Sequence, residues 1–458
     1  MNSNIKSIFS SAEREIKNQI NRNVDTKKSF SYEKDKILES RILFESVLKT
    51  QDSIKDLSLE TSSVQVGDSA IDVMRDMDVR ATFRSLFGKT SALISDIGCH
   101  PDFLHLKDSE YLENGYSITM FMDIAGSTKL GRLYSPDIVF NIKNTIIKYA
   151  IKIIQAFDGH VHRIMGDAVM AFFRSKEKEQ LKRQMDNAID SLNCGVYLIE
   201  FMENVITPIL SELGAEDPIG IRIGIDYGAH EDIVWGNYGA HNAFEVTATS
   251  YYVDVAAKLQ QVAKTNKIMI GENFKKLIGF GDEYVSRLEK ISNGETQKIC
   301  YVKPNYNING KKINYNQYEL KNKILFKYLP FGIYLNTSIE VRLFAKNKID
   351  NTIFEYKNCS QALDKHLELS FKVKYTNKTV PAKKLHIKSR KQNTGPESES
   401  QNANIPITKI QQMDYYNYSY HGEITESTLY KGLHHMYIDI CDEDNRIIES
   451  TCFSLYIR

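Results

Sequence analysis

The segment Ser117-Ile-Thr-Met-Phe-Met-Asp-Ile-Ala-Gly-Ser-Thr128 anchors the reading of this chain. Ser117–Met122 is an apolar run that predicts a strand ending at Asp123, and Ile-Ala-Gly-Ser-Thr then turns the chain into a helix. A long amphipathic helix is predicted over 136–157, and Asp158-Gly159 is a turn signal. His160–Ile164 and Ala168–Phe173 read as two short strands joined at Gly166-Asp167, a hairpin. A helix over about 180–206 and a strand at Gly220–Asp226 follow. Then come a glycine-rich segment (Tyr227–Gly239), a helix over about 250–264 and a strand at Lys267–Ile270. The order βαββαβ, with additions, predicts an α+β sandwich with helices on one face.

On the N-terminal side, residues 1–114 form a helical region. Residues 1–60 are polar, with one apolar stripe through Ile37, Leu38, Ile42, Phe44, Leu48 and Ile54 that suits a packing or dimer face. Residues 70–115 are a mixed connector containing Pro101. On the C-terminal side, 304–334 is rich in Asn, Lys and Tyr and reads as a linker. From 335 to 458 short alternating strands dominate, at Leu367–Tyr375, Glu426–Asp439 and Ile447–Ile457, which predicts a separate β-sandwich. Between them Ser389–Pro406 is low in complexity and is expected to be a mobile loop. His434 and His435 lie in a strand without further ligands nearby in sequence, and are read as structural.

Composition narrows the function. The 458 residues are 42% hydrophobic and 10% aromatic, enough for sizeable cores. With 59 Lys+Arg against 58 Asp+Glu the net charge is +1, which argues against a nucleic acid as main partner. Six widely spaced cysteines without a CxxC pair suggest neither a zinc site nor a disulfide framework, and fit a reducing compartment. The N-terminus lacks the apolar core of a signal peptide, and no uncharged run is long enough to span a bilayer. A cytoplasmic protein with no membrane association is expected.

Two carboxylates carry the chemistry. Asp123 ends one strand at a Gly-Ser-Thr turn, and Asp167 sits at the hairpin tip; pairing of the hairpin beside the first strand brings them together. Two such groups repel unless a divalent cation neutralises them, and oxygen sites of this kind hold Mg²⁺ or Mn²⁺ with phosphate oxygens completing the shell. The turn at Ala125–Thr128, with Gly126, Ser127 and Thr128, offers backbone N–H groups at a helix N-terminus for a phosphate.

Four motifs in order resemble class III nucleotide cyclases over about 115–303: Phe-Met-Asp-Ile-Ala-Gly-Ser-Thr at 121–128, Arg-Ile-Met-Gly-Asp-Ala-Val-Met-Ala-Phe-Phe at 163–173, Gly-Ile-Asp-Tyr-Gly at 224–228 and Val-Asp-Val-Ala-Ala-Lys-Leu-Gln at 253–260. The resemblance implies a ferredoxin-like catalytic domain, a phosphorus–oxygen lyase acting as a homodimer with composite active sites. It implies Asp123 and Asp167 as ligands of two Mg²⁺ or Mn²⁺ ions, with the backbone of Ile124 as a further ligand. The ribose 3′-oxygen attacks the α-phosphorus and pyrophosphate leaves.

Three positions depart from the family pattern. Its adenine-selecting lysine corresponds to Arg163, whose partner position is Thr247. A guanidinium reaches further and offers several donors, which suits the adjacent O2 and N3 acceptors of cytosine. A plain Arg-for-Lys exchange in an adenylate cyclase is the competing reading. The family's transition-state asparagine and arginine correspond to Asp254 and Lys258, at i and i+4 on a helix, where they share a face and can salt-bridge. The family's triphosphate lysine has no match before Gly294, where Asn293 stands; Lys290 and Lys298 are the replacements at hand. Tyr251 and Tyr252 are read either as base-stacking residues or as packed aromatics.

Residues 340–458 resemble the sensor domain found on some bacterial nucleotide cyclases and defence-associated nucleotidyltransferases, through Glu426-Ser-Thr-Leu-Tyr-Lys-Gly-Leu-His434 and the terminal Phe453-Ser-Leu-Tyr-Ile. The tyrosines at 415, 416, 418 and 420 offer a recognition surface, or pack on an edge strand. The combination looks like the pyrimidine cyclases of bacterial anti-phage signalling. It implies conversion of CTP to 3′,5′-cyclic CMP, a second messenger acting on a separate effector. The alternatives are a uridylate cyclase, an adenylate cyclase and a non-catalytic nucleotide-sensing module.

Overall fold

Strand β1 (Ser117–Ala125) runs past its expected end, so that Asp123 lies inside the strand rather than at its tip. The computed structural model describes residues 3–18, 79–89, 97–175, 180–212, 219–240, 243–292, 295–376 and 384–458. The stripe from Ile37 to Ile54 and the pair Asn293-Gly294 fall outside these residues. After β1 come helix α1 (Ser127–Leu133) and α2 (Pro136–Ala156), then β2 (His160–Met165) and β3 (Ala168–Phe173). Helix α3 (Gln180–Phe201) continues through a π-helical turn, Met202–Ile206, which its regular 3.6-residue pattern did not announce. Strand β4 (Gly220–Gly228), the hairpin β5 (Val234–Ala240) and β6 (Ala243–Thr249), helix α4 (Tyr251–Val262), β7 (Lys267–Gly271) and helix α5 (Glu272–Ile278) complete the motif region.

The central sheet has seven strands. β1 lies antiparallel between β3 and β4, β2 edges the sheet beside β3, and β7 runs parallel to β4. Alternation along β1 sends Ile118, Met120, Met122 and Ile124 into one large core with Ile142, Ile146 and Ile153 of α2 and Ile189, Leu192 and Val196 of α3. Burying each such side chain contributes about 1.5–3 kcal/mol. The expectation of helices on one face holds for α2 and α3 only. Helix α4 covers the other face, because a Cβ on Gly224 of β4 would stand 2.2 Å from the Ala256 carbonyl of α4. That face carries Asp123, Arg222 and Asp226, the alternate residues of β1 and β4.

The N-terminal segments join this core. Phe9 packs at 4.8 Å from Phe201, and Phe83 at 4.6 Å from Tyr197. Lys89 pairs with Asp158 and the buried Asp190. Among the described residues no helix is long and apolar enough to cross a membrane, and the six cysteines are free.

The segment expected to be a linker is instead part of the catalytic sheet. β8 (Gln317–Leu320) pairs antiparallel with β7 and with Val285–Ser286, and Tyr315 just before it donates to Asp226 at 2.8 Å. Its polar composition misled because the strand is short and its apolar contacts come from distant residues.

The C-terminal strands form two five-stranded sheets. One contains β9 (Ile339–Lys346), β10 (Glu368–Tyr375) and β13 (Ser419–Ser427); the other contains β11 (His386–Gln392), β12 (Ile407–Gln412), β14 (Gly432–Cys441) and β15 (Ile447–Ile457). Two expectations fail here. Ser389–Pro406 is ordered: its first residues belong to β11, and Pro396–Ser400 forms a helical turn with Ser398 buried. Glu426–Asp439 is two strands in different sheets, since Thr428 turns inward to accept from Leu367 N and donate to Asp364 O.

The sandwich is not a satellite. Cys359, Ala362, Leu433 and Tyr456 belong to the same core as α2 and α3. His435 meets the Tyr284 hydroxyl at 2.6 Å and Ser454 at 2.7 Å, and His434 meets Tyr430 O at 2.7 Å, so both histidines are structural as expected. Burial holds both imidazoles neutral, at about 4 for His434 and about 3 for His435. Gly279, which ends α5 at φ +76°, touches Gly395 and Gly432 backbone to backbone; a Cβ on Gly395 would lie 2.5 Å from the Gly279 carbonyl oxygen.

Candidate active site

The β2–β3 hairpin turns on Gly166 and Asp167 alone, and Gly166 adopts φ +64°, which a residue with a Cβ rarely takes. The turn sets Asp167 beside β1, where Asp123 pairs in register with Ala168 and the Ile124 amide donates to the Asp167 carbonyl at 3.3 Å. The two aspartates therefore sit on neighbouring strands at one end of the sheet.

Each carboxylate is matched by positive charge from the same chain. Arg222, directly across from Asp123 on β4, forms an ion pair with it, and Gln260 of α4 donates to the same oxygen at 3.2 Å. Asp167 accepts from the Ser127 hydroxyl and from Lys143 of α2 at 3.4 Å. Arg222, Gln260 and Lys143 escaped the sequence reading. Only the strand register reveals Arg222, and only the packing of α4 over Gly224 brings Gln260 into reach. No group of three or more acidic, His or Cys side chains placed to hold a metal ion exists among the described residues. Two carboxylates and the main-chain oxygens around Ile124 are an all-oxygen donor set, which suits a hard divalent cation that keeps water or phosphate ligands. The guanidinium and ammonium groups now facing the aspartates occupy the electrostatic role such a cation would take, so the residues fit the group.

Gly126 is the left-handed N-cap of α1, Ser127 is buried with its hydroxyl spent on Asp167, and Thr128 is exposed. Of the three, the backbone amides rather than the Ser127 side chain remain for an anion.

Arg163 reaches β6, the strand of Thr247, across a strap. The Gly98 amide donates to His162 O of β2 at 2.8 Å, and the Val246 amide of β6 donates to Gly98 O at 2.9 Å. Residues 98–100 thus tie the edge of the main sheet to the β5–β6 hairpin. Across this junction Arg163 donates Nε–H to Glu245 Oε1 at 2.8 Å and Nη2–H to Glu245 Oε2. Partial burial pushes the Glu245 carboxyl up, but the hydrogen bonds and charge of Arg163 outweigh it and hold the group below its usual range. His162 Nε2 lies 3.5 Å from Glu245, and burial depresses its imidazole to about 4. Thr247, two residues from Glu245 on the same face of β6, is buried.

Asp254 and Lys258 stand one turn apart on α4, but no salt bridge joins them. Asp254 is exposed and Lys258 half-buried, and neither side chain has a partner among the described residues. Tyr251 and Tyr252 pack edge to face at 5.4 Å and both meet Tyr315, so they are packed aromatics rather than an open stacking platform. Lys298 is exposed on the strand Glu295–Ile299, and Lys290 lies on the paired strand Leu288–Ser292.

Known proteins share this plan. The adenylate and guanylate cyclase catalytic domain family matches residues 112–309, and the adenylyl/guanylyl and SMODS C-terminal sensor domain family matches residues 315–458. A cytidylate cyclase of Escherichia coli is 37% identical over 89% of this chain and 90% of its own length. A cytidylate cyclase of Staphylococcus aureus is 33% identical over 82% of this chain and 86% of its own. The strand order, the paired aspartates and relatives that run the length of both domains lead to one assignment: the chain belongs to the class III nucleotide cyclase family, in the group whose catalytic domain is joined to this sensor domain.

Proposed function

We propose that this cyclase converts CTP to 3′,5′-cyclic CMP and pyrophosphate, in a homodimer whose active sites are shared between protomers. The observation that carries the reading is an arginine, Arg163, where the family has its base-selecting lysine; it is held by Glu245 of β6, the strand that also carries Thr247. Relatives similar over both domains bear the name cytidylate cyclase.

In the reaction the ribose 3′-oxygen forms a bond to the α-phosphorus while the bond from that phosphorus to the bridging oxygen of the β-phosphate breaks; the hydroxyl proton passes to solvent. Bound Mg²⁺ or Mn²⁺ ions supply charge neutralisation for the attacking oxygen and the triphosphate. Asp123, Asp167 and the Ile124 carbonyl would hold them. Arg222 and Lys143, now paired with the aspartates, are freed to face phosphate oxygens. The amides of Gly126, Ser127 and Thr128 cradle the triphosphate. Arg163 and Thr247 of one protomer read the base, and the unpartnered Asp254 and Lys258 act on the substrate in the family's transition-state positions, Lys258 keeping a positive charge but losing the bidentate fork. Catalysis is mainly positioning and electrostatics. The product serves as a cytoplasmic messenger in anti-phage defence, read by a separate effector.

The test incubates the purified protein with Mn²⁺ and each of ATP, GTP, CTP and UTP separately, and identifies cyclic products by mass. Cyclic CMP is the expected main product. Cyclic UMP or cyclic AMP as main product overturns the assignment of the base, and nucleotide binding without pyrophosphate release overturns catalysis.

A further inference from the structure

Arg163 is clasped along one side only. Its Nε–H and Nη2–H both go to the Glu245 carboxylate, a side-on bidentate pair. A guanidinium has five N–H bonds in one plane. Two are taken, and those at the end of the group remain: the Nη1 hydrogens and the second Nη2 hydrogen. The end of the fork therefore presents two parallel N–H bonds at a fixed angle, about the spacing of two adjacent acceptors on a planar ring.

Glu245 is itself fixed. It lies on β6, whose neighbour Val246 is held by the Gly98 strap on one side and whose register with β5 pairs Glu245 with Tyr238 on the other. The buried His162 ring closes the floor behind its carboxylate. The arginine side chain alone has several rotatable bonds and would lose rotamer freedom on binding a base. A clasp that has already fixed the fork removes much of that cost before the nucleotide arrives.

We propose that Glu245 is a specificity-determining positioning residue: by gripping Arg163 side-on, it presents the end of the guanidinium fork to O2 and N3 of cytosine and rejects uracil. Cytosine offers these two acceptors side by side. Uracil places an N3–H donor where N3 accepts, so one N–H of a fork that cannot rotate meets a donor. Guanine offers two adjacent acceptors only on its Hoogsteen edge, and adenine N1 is flanked by a donor. Thr247 lies two residues from Glu245 on the same face of β6, and in this proposal its hydroxyl oxygen accepts from the cytosine amino group. The proposal rests on Arg163 being the base-reading residue.

The experiment measures kcat and KM for CTP and UTP in the wild type, E245Q, E245A, R163A and the double variant R163A/E245A. The expected result for E245A is a KM for CTP raised about tenfold, a smaller change in kcat, and a CTP-over-UTP preference reduced about tenfold or more. E245Q, nearly unchanged in volume, keeps one acceptor and turns a donor on the other N–H; it shows the same direction and serves if E245A does not fold. In the R163A background E245A adds no further loss, because the clasp has nothing to hold. A loss of equal size for CTP and UTP, or the same loss with and without Arg163, overturns the role of Glu245 while leaving Arg163 as the base reader. R163A with an unchanged CTP-over-UTP preference overturns the base-pocket reading itself.

Discussion

One hairpin carries two charges that the protein treats in opposite ways. At the tip, Asp167 and its neighbour Asp123 are anions covered by separate cations, Lys143 at 3.4 Å from Asp167 and Arg222 paired with Asp123 across the adjacent strand. Four residues back along β2, Arg163 is a cation gripped on two atoms by a single carboxylate. In the proposed reaction the first arrangement is exchanged, a divalent ion and a triphosphate replacing the covering charges. The second is proposed to persist, since a base is read by direction as well as by charge. On that reading, chemistry needs a site that changes its charge partners, and selectivity needs one that keeps them.

Removing charge at the exchangeable end gives the largest effect. Asp123→Asn retains acceptors for Arg222 and Gln260, so the circular dichroism spectrum and melting temperature stay close to wild type while cyclic nucleotide formation falls below detection. A fully active Asp123→Asn would break the comparison outright. At the persistent end, Arg163→Lys keeps the charge and loses the fork. Preference for CTP over the other triphosphates, read from competition assays, is expected to fall about ten- to hundredfold while total turnover survives.

Away from both ends, Tyr284→Phe deletes the hydroxyl that meets His435 in the buried seam between catalytic domain and sandwich. The expected cost is about 1–3 kcal/mol, seen in urea unfolding, with base preference unmoved. The smallest effect concerns pH. Burial pushes the Asp226 carboxyl up to about 8. The folded protein therefore holds a proton that the unfolded chain releases near pH 4; this contribution is complete below that value and is lost as pH rises through about 8. Asp226→Asn should flatten the decline in melting temperature between pH 6.5 and 8. His160, His162 and His434, each depressed to about 4 chiefly by burial, act in the opposite sense: their contribution is present above 6.5 and is lost as pH falls toward 4.

The anionic end was legible in the sequence because its determinants are local. A strand, a glycine turn and a two-residue hairpin place Asp123 and Asp167 within short stretches of chain, and the α+β order follows from the same periodicities. The cationic end was legible only by half. Arg163 stands in a recognisable motif and Thr247 is legible only as its corresponding partner position, but Glu245 meets Arg163 through a contact spanning 82 positions and a strap at Gly98 that no spacing rule announces. β8 was hidden for a related reason: a strand of four residues carries too little pattern to stand out from a polar stretch. The break between β13 and β14 was masked by continuous alternation, since Thr428 makes the corner with its hydroxyl rather than with proline or an obvious turn pair.

The glycine junction between α5 and the sandwich has a mechanical consequence. Gly279 faces Gly395 and Gly432, with the Lys431 side chain alongside, so the end of α5 lies closely packed against the backbone of the sandwich. Gly271 caps the other end of α5, and a Cβ there would lie 2.2 Å from the Asp226 carboxylate on β4. Both ends of α5 are thus packed without room for a side chain, one against the sandwich and one against the strand that carries Arg222. A methyl group at Gly271, Gly395 or Gly432 would have to push a carboxylate or a backbone carbonyl aside.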